Sequence, residues 1–270
     1  MVFKTSIVNL LKNMKKLSIY IACAVISMSF MVYDNGNQQN AATFKAGEEL
    51  QFVMYYGIVN GGSATITLKE TTLNNKKLLH ARASMKTTGV ADWIFGIEDV
   101  YESYFDEDNK CKPEKAIRNI KENKYRYYDE ATYDHTNNKV KSSKNGVISV
   151  PANTYDLISS LYYLRKDGFK NLKMNDTISM KIYFSDEIFP YKLIYKGKEK
   201  ISTKMGKYNA LKLQPLVEVG RVFKAKDDVS FWISDDANHV PLRVEFNMTL
   251  GSLKCDLVSH KGLAQPLKGL

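Results

Sequence analysis

Polar and apolar residues alternate along most of the chain between Leu50 and Val258. In residues 64–69, for example, the apolar side chains fall on every second position. A period of two residues places successive side chains on opposite faces of a β-strand. The same alternation recurs in segments 79–86, 178–184, 229–233, 242–248 and 253–257. One apolar and one polar face per strand is typical of an antiparallel sheet, and short turn segments such as Asn60-Gly61-Gly62 separate the strands.

Two segments interrupt this alternation. Residues 154–166 carry Leu157, Ile158, Leu161 and Leu164 at helical spacing. Asn153 or Thr154 is expected to cap the start of this helix, and Gly168 to close its end. Residues 90–96 lack alternation and indicate a short helical turn. The sequence therefore predicts a mostly β fold: a large antiparallel meander, as a curved sheet or two sheet halves, with one central α-helix.

The N-terminus has the order of a secretory signal. Lys12, Lys15 and Lys16 precede an apolar run over residues 17–32, and a polar stretch follows. We expect residues 1–42 to be a signal peptide with a short polar segment, and residues 43–270 to form a single β-rich domain. The protein is then exported to the periplasm or outer envelope. An alternative is that the run is retained as the protein's membrane anchor, because its 16 residues, which include three serines, are only slightly short for a transmembrane helix.

Charge and cysteine content add little specificity. The net charge is +10, and the basic excess is spread along the chain without a basic run. It fits either ordinary solubility or attraction to anionic lipid or glycan surfaces, and we favour solubility. Beyond the signal, Cys111 and Cys255 remain. They form one disulfide or stay as buried free thiols, and the alternation around Cys255 favours the thiols.

Motifs of known catalytic chemistry are missing from the sequence. The four histidines are far apart, and an acidic cluster spans residues 98–108. That cluster is either a calcium or carboxylate-pair site or a strand that runs into an acidic turn. The second interpretation is favoured, since Glu98 and Asp99 must point to opposite faces. We expect no enzyme, cofactor, metal site or nucleic-acid partner.

Several strings resemble the DUF3108 family of exported bacterial proteins, whose function is unknown. Gly47-Glu48 and the strand after it resemble the family's opening, and residues 97–106 its central strand. Residues 157–165 are similar to its helix and residues 231–245 to its C-terminal hairpin. The resemblance covers about residues 44–260 and supplies no catalytic residue. The C-terminal hairpin of this chain also shows a weaker, local likeness to lipid carriers of the LolA/LolB type. That likeness implies a curved sheet with an apolar concave face.

Two functions follow as hypotheses. In the first, the protein holds a lipid or other apolar ligand on its curved sheet, with Trp93 and Phe95 near the mouth and Leu161 and Tyr162 on the helix that fills or gates it. In the second, it is a structural or interaction module that contacts glycan or a partner envelope protein. An outer-membrane barrel also has alternating strands, but a helix in mid-chain argues against it. The sequence leaves the oligomeric state open.

Overall fold

The computed structural model describes residues 42–184, 187–216, 229–248 and 251–270. Within these ranges the chain forms a 15-stranded sheet and two short α-helices. Neighbouring strands are antiparallel, apart from one short parallel pair at an edge. The predicted mostly β class and large antiparallel meander are confirmed.

The first half of the chain builds one half of the sheet. Eight strands follow each other as spatial neighbours, and helix α1 (Gly89–Phe95) connects the third to the fourth. The strands are β1 (Glu49–Tyr56), β2 (Val59–Leu73), β3 (Lys76–Thr87), β4 (Glu98–Asp106), β5 (Lys112–Glu122), β6 (Tyr125–Asp134), β7 (Lys139–Ser142) and β8 (Gly146–Ser149).

The second half runs back to the first. It contains helix α2 (Leu157–Tyr163), a π-helical turn (Leu164–Gly168) and seven strands. These are β9 (Thr154–Tyr155), β10 (Thr177–Phe184), β11 (Glu187–Thr203), β12 (Gly206–Pro215), β13 (Val229–Ser234), β14 (Pro241–Asn247) and β15 (Ser252–Lys261). Strand β15 pairs with β1, so the two halves are joined at the centre of the sheet, and β8 and β9 are its edges.

Register brings large and small apolar side chains together on the buried face. Ile66 of β2 lies opposite Ala83 of β3, which in turn lies opposite Tyr101 of β4. All three are buried, while the intervening residues face outward and are more exposed. Because a shift by one residue would turn every apolar side chain to solvent, this pattern holds the register.

Helix α2 is packed inside the curve of the sheet. All seven of its residues are buried, and it contacts β3, β4, β5 and β10. Its start differs from the prediction, because Thr154 belongs to β9 and the cap is Asp156. One carboxylate oxygen of Asp156 accepts the backbone N–H groups of Ile158 (2.7 Å) and Ser159 (2.9 Å). An aspartate can satisfy two orphan donors at once, which explains why the helix begins there.

An ion pair buried from solvent ties α2 to the start of the domain. The Arg165 guanidinium donates to both carboxylate oxygens of Glu48, at 2.5 and 2.7 Å, and both side chains have no exposed surface. Arg165 Nε also donates to the backbone oxygen of Asn238 (3.1 Å), and Tyr162 Oη donates to Glu48 (3.3 Å). The side chain of Arg165 thereby joins the π-helical turn, the segment before β1 and the β13–β14 connection.

Both cysteines of the described domain are buried free thiols. Cys111 lies before β5 and Cys255 lies in β15. This confirms the favoured alternative of the sequence analysis. Burial raises the pKa of Cys255 to about 12, so the thiol stays protonated and unreactive at neutral pH.

The predicted signal lies outside the described residues, apart from Ala42. In the ranges that the structure describes, none of the helices is long and apolar enough to cross a membrane. The domain boundary therefore stays a prediction, and it has a direct test. A chain that begins at Thr43 is expected to fold alone, because the first buried side chain is Phe44 and β1 begins at Glu49. Circular dichroism should show mainly β signal and a cooperative melt. An unfolded truncated chain beside a folded full-length chain would place residues 1–42 in the core.

Candidate functional site

The two ends of the sheet face each other across a seam. The seam lies where β9 and β10 approach β4, β5 and β6, with α2 behind it; β5 contacts β9 there. An open sheet that curls on itself leaves unpaired backbone and gaps between side chains at such a junction. Two cavities of very different size lie along this seam.

The larger cavity, which we call the seam cleft, has a volume of about 460 Å³. Ligand sites for small molecules usually measure about 300–1,000 Å³. The lining comes from the β4–β5 turn, the approach to β9, the end of α2 and the paired strands β10 and β11. It consists of Lys110, Ala152, Asn153, Tyr155, Tyr163, Ser179, Met180, Lys181, Pro190, Tyr191 and Lys192.

Three ammonium groups and no carboxylate line the described seam cleft. Lys181 of β10 pairs with Pro190 of β11, and Ser179 pairs with Lys192. Lys181 and Lys192 are therefore diagonal neighbours on the same face of this hairpin, about 7–8 Å apart at their Cα atoms. Lys110 approaches from the β4–β5 turn. Like charges at this spacing repel each other, and an anion between them would relieve that repulsion.

Aromatic rings form the apolar wall of the seam cleft. Tyr155 and Tyr163 stack with their ring centroids 4.7 Å apart and their planes 12° from parallel. Tyr155 Oη donates to the backbone oxygen of Lys110 (3.1 Å), which fixes the stacked pair against the β4–β5 turn. Burial raises the pKa of both tyrosines, so the wall stays uncharged at physiological pH. Rings of this kind bind apolar or planar ligand groups.

Three residues in or beside the lining of the cleft have left-handed backbone conformations, and two of them, Lys110 and Cys111, are strained there. Lys110 and Cys111 have φ values of 55° and 54°, and Asn153 has φ 59°. Left-handed conformations are unusual for residues other than glycine, asparagine and aspartate, and cost about 1–3 kcal/mol each when they persist. The buried side chain of Cys111 and the hydrogen bond to the Lys110 oxygen hold this turn in place. The backbone of the turn is therefore held in place where Lys110 joins the lining of the cleft.

The smaller cavity, about 30 Å³, is the size of one or two water molecules. Polar groups of Arg118, Asp129, Tyr133 and Asp156 line it. Desolvation by burial raises the pKa of Asp156 to about 6, although Ser103 Oγ donates to its carboxylate at 2.6 Å and opposes this shift. The cavity is too small for an organic ligand.

The structure places the four predicted ligand-binding residues in two separate regions. Trp93 and Phe95 lie on α1, which packs against β2 and β3, and Trp93 is 86% exposed. Leu161 and Tyr162 lie on α2 and are buried in the core, where the Tyr162 ring packs against Phe44 at 4.9 Å. None of the four lines the seam cleft.

The acidic cluster has the predicted strand geometry. Glu98 is exposed and Asp99 is buried, so the two side chains do point to opposite faces of β4. Asp106 ends the strand and accepts the backbone N–H groups of Asp108 (3.0 Å) and Asn109 (3.1 Å) in a turn. Among the described residues, no group of three or more His, Cys, Asp and Glu side chains is placed to hold a metal ion.

Sequence reasoning did not single out the residues of the seam cleft. Tyr163 is next to the predicted Tyr162, but only the packed structure shows which of the two faces the cleft. The lysines are 82 positions apart in sequence at the extremes, Lys110 and Lys192. One signal in the sequence could have brought two of the lysines together, namely the register of the β10–β11 hairpin, which pairs Ser179 with Lys192. That register can be predicted only if the position of the turn between the two strands is known.

Comparison with known proteins gives a family match. The model of the family described as protein of unknown function (DUF3108) matches residues 51–258, which is most of the chain. This confirms the resemblance found in the sequence. No curated protein matches the chain.

The solved structures to which this chain is similar are remote in sequence. A beta-barrel-like protein of the domain of unknown function DUF1849 from Brucella abortus is 8% identical, with 79% of this chain and 96% of that chain covered and a TM-score of 0.49. A protein with a YmcC-like fold from Bacteroides fragilis is 10% identical, with coverage of 81% and 97% and a TM-score of 0.34. A DUF1089 family protein from Pseudomonas aeruginosa is 6% identical, with coverage of 79% and 95% and a TM-score of 0.32.

Proposed function

This chain belongs to the DUF3108 family of proteins of unknown function, and from that premise we propose that it is a non-enzymatic, exported protein of the bacterial cell envelope that binds an amphiphilic anion in the seam cleft. The observation that carries the proposal is the cleft itself: an aromatic wall beside three lysines, with no acid in the lining. Export is supported by the basic and apolar N-terminal segments of residues 12–32.

The lysines support an anionic group on the ligand. Lys181 and Lys192 are exposed residues, and the described lining of the cleft contains no acid. A phosphate, sulfonate or carboxylate would accept charge-assisted hydrogen bonds from them and from Lys110. Each such interaction at a solvent-accessible site is worth about 0.5–1 kcal/mol.

The remaining wall supports an apolar part of the ligand. Met180, Pro190 and Tyr191 add apolar surface to the stacked pair of Tyr155 and Tyr163. Met180 and Tyr191 do so from the face of the β10–β11 hairpin opposite to the two lysines, Lys181 and Lys192. Burial of apolar ligand surface against such a wall contributes roughly 25 cal/mol per Å². We therefore propose the seam, and not the concave face, for the lipid or apolar ligand expected from the sequence, because α2 and core side chains fill the concave face of the sheet.

The lining also supports binding rather than catalysis. The described part of the cleft has no carboxylate, imidazole or thiol, the groups that most often transfer protons or attack carbonyl carbons. Asp99 and Asp156, the two carboxyl groups whose pKa burial raises to about 7 and about 6, lie outside the lining.

The test is binding of 8-anilinonaphthalene-1-sulfonate, an aromatic sulfonate whose fluorescence increases in apolar sites. Loss of three charge-assisted contacts predicts that the triple variant K110Q/K181Q/K192Q binds the probe about tenfold or more weakly. N-phenyl-1-naphthylamine, which lacks the sulfonate, should bind the unaltered protein more weakly and should not distinguish the variant.

A second triple variant controls for net charge. K69Q/K141Q/K207Q removes the same charge from exposed lysines away from the cleft and should leave sulfonate binding unchanged. An equal loss of sulfonate binding in both triple variants would show that the net charge of the protein, and not the lysines of the cleft, attracts the probe. Failure of the unaltered protein to bind either probe would contradict the proposed site.

A further inference from the structure

The end of the sheet that carries α1 has an unusual surface. Several large apolar residues are exposed there, and we call six of them the apolar rim: Ile58, Val59, Val90, Trp93, Ile94 and Tyr125. Ile58 is 100% exposed and Val90 is 69% exposed. The six residues come from the β1–β2 turn and the first residue of β2, from α1 and from the start of β6.

Hydrogen bonds join these three segments into one platform. The backbone N–H of Thr88, just before α1, donates to the Gly61 oxygen in β2 (3.0 Å). Asn123, in the β5–β6 turn, donates its side-chain N–H to the Ile94 oxygen (3.2 Å) and its backbone N–H to the Gly96 oxygen (3.0 Å). Gly96 ends α1 in a left-handed conformation, where a Cβ atom would lie 2.7 Å from Asn123 Oδ1. The exposed side chains are thus held on a rigid support.

The packing of helix α1 does not explain why its residues are apolar. Its sequence, Gly-Val-Ala-Asp-Trp-Ile-Phe, has five apolar side chains, and none of its residues is buried. A surface helix of a soluble domain normally buries one apolar stripe. Contiguous exposed apolar side chains mark contact with a protein or a membrane.

Basic residues surround the rim. Lys86, Lys121, Lys124, Arg126 and Lys204 lie on the adjoining strand ends and turns, and the acids there are Asp92, Glu98, Glu122 and the buried Asp99. The five basic residues outnumber the three acids that are not buried, and this excess complements an anionic surface. Lys204 reaches the rim directly, since its Nζ donates to Asn60 Oδ1 in β2 (3.1 Å).

We propose that the apolar rim docks the protein onto an anionic phospholipid membrane. A side chain as exposed as Ile58 projects without support from its neighbours, and a rigid protein partner would need a matching pocket for every such projection. The interface of a bilayer accommodates them without matching, and Trp and Tyr with flanking Lys and Arg are typical of residues at that depth. The inference stands apart from the seam cleft, because the rim and the cleft share no residue.

Tryptophan fluorescence of the full chain tests the docking. The chain has two tryptophans, and Trp232 is buried with its indole N–H on Glu199. Emission that responds to lipid therefore reports Trp93, whatever the N-terminal residues do. With vesicles of phosphatidylglycerol and phosphatidylcholine we expect a blue shift, quenching when the phosphatidylcholine is brominated on its acyl chains, and less of both in vesicles of phosphatidylcholine alone.

Matched variants localise the effect. I58D should weaken the lipid dependence of Trp93 emission about tenfold or more, because burial of one isoleucine is lost and a charge is added. V147D makes the same kind of change on the edge strand β8, at a residue that is 58% exposed, and should leave the emission unchanged. Vesicle binding without any change in Trp93 emission would overturn the proposal. Absence of vesicle binding, or an I58D chain that behaves like the unaltered one, would also overturn it. A blue shift that depends on protein concentration without vesicles would overturn it as well, and would assign the rim to contact with a second copy of the chain.

Discussion

Replacement of Arg165 with methionine is expected to lower the free energy of unfolding by about 3–5 kcal/mol. The substitution keeps an unbranched apolar stem and removes the guanidinium that is the bidentate partner of Glu48, whose carboxylate has no exposed surface. That carboxylate is then left buried without its cationic partner, with Tyr162 Oη as its remaining side-chain donor among the hydrogen bonds described above. Arg165 also loses its hydrogen bond to the Asn238 oxygen, which would leave a further buried acceptor without this donor. Urea unfolding at neutral pH measures the change.

Two controls separate the buried charge from packing. The double variant E48L/R165M removes both charges and should recover most of the loss, because two apolar side chains can occupy the space of a buried ion pair. K170M breaks the exposed pair between Lys170 and Asp167 (3.0 Å) and should cost less than about 1 kcal/mol. A double variant as unstable as R165M would show that hydrogen bonds to Asn238, rather than the unpaired charge, dominate.

The fold was largely predictable because sheet pairing follows the hydrophobic pattern. The strict alternation in residues 64–69 and 79–86 required β2 and β3 to turn one face inward, and the structure pairs them with Ile66 opposite Ala83. Most connections between neighbouring strands are short, so chain order became spatial order. The return of β15 to β1 was not predictable, since long-range pairing leaves no local signal in either strand.

The helix boundaries were less predictable for a definable reason. Asn153, Thr154 and Asp156 are all good cap residues, and the choice depends on tertiary contacts. Thr154 and Tyr155 pair with Lys181 and Ile182 of β10, which delays the helix until Asp156. Propensity alone could not reveal that a two-residue strand would compete with the first turn.

The candidate sites show the same limit. Trp93 was identified from its position in a segment without alternation, and its exposure is what directs attention to the apolar rim. The seam cleft depends on how the edges of a curved sheet approach each other, which is a property of accumulated strand twist and not of any motif. Leu161 and Tyr162 were predicted at the ligand, but helical periodicity gives a buried face without saying whether protein or ligand covers it.

A titration of stability tests the most unusual carboxyl group of the fold. Asp99 has no exposed surface, and burial raises its pKa to about 7, although the backbone N–H of Lys121 donates to Oδ1 at 3.0 Å and opposes the shift. Its Oδ2 has no hydrogen-bond partner in the described residues. The folded protein therefore holds this proton to higher pH than the unfolded chain, where the ordinary pKa is 3.8.

The sign of the effect follows from this difference. Below about pH 4, Asp99 is protonated in both the folded and the unfolded state, so its ionisation does not lower the free energy of unfolding. Between about pH 4 and 7 the unfolded chain has lost this proton while the folded protein keeps it, and stability falls as the pH rises. A shift of about three pH units corresponds to roughly 4 kcal/mol, reached above pH 7. D99N keeps the acceptor for Lys121 and cannot ionise. It should thus be nearly as stable as the unaltered protein at pH 4 and more stable by about 2–4 kcal/mol at pH 8.

Urea unfolding of both proteins at several pH values between 4 and 8 measures this gap. The difference between the two curves isolates Asp99 from groups such as Asp156, whose raised pKa of about 6 adds its own pH dependence to both proteins. E98Q, at the exposed neighbour on the other face of β4, should change stability by less than about 0.5 kcal/mol at any pH. A gap between D99N and the unaltered protein that does not widen with pH would mean that Asp99 ionises freely in the folded state, and that water reaches the start of β4 from the side of the apolar rim.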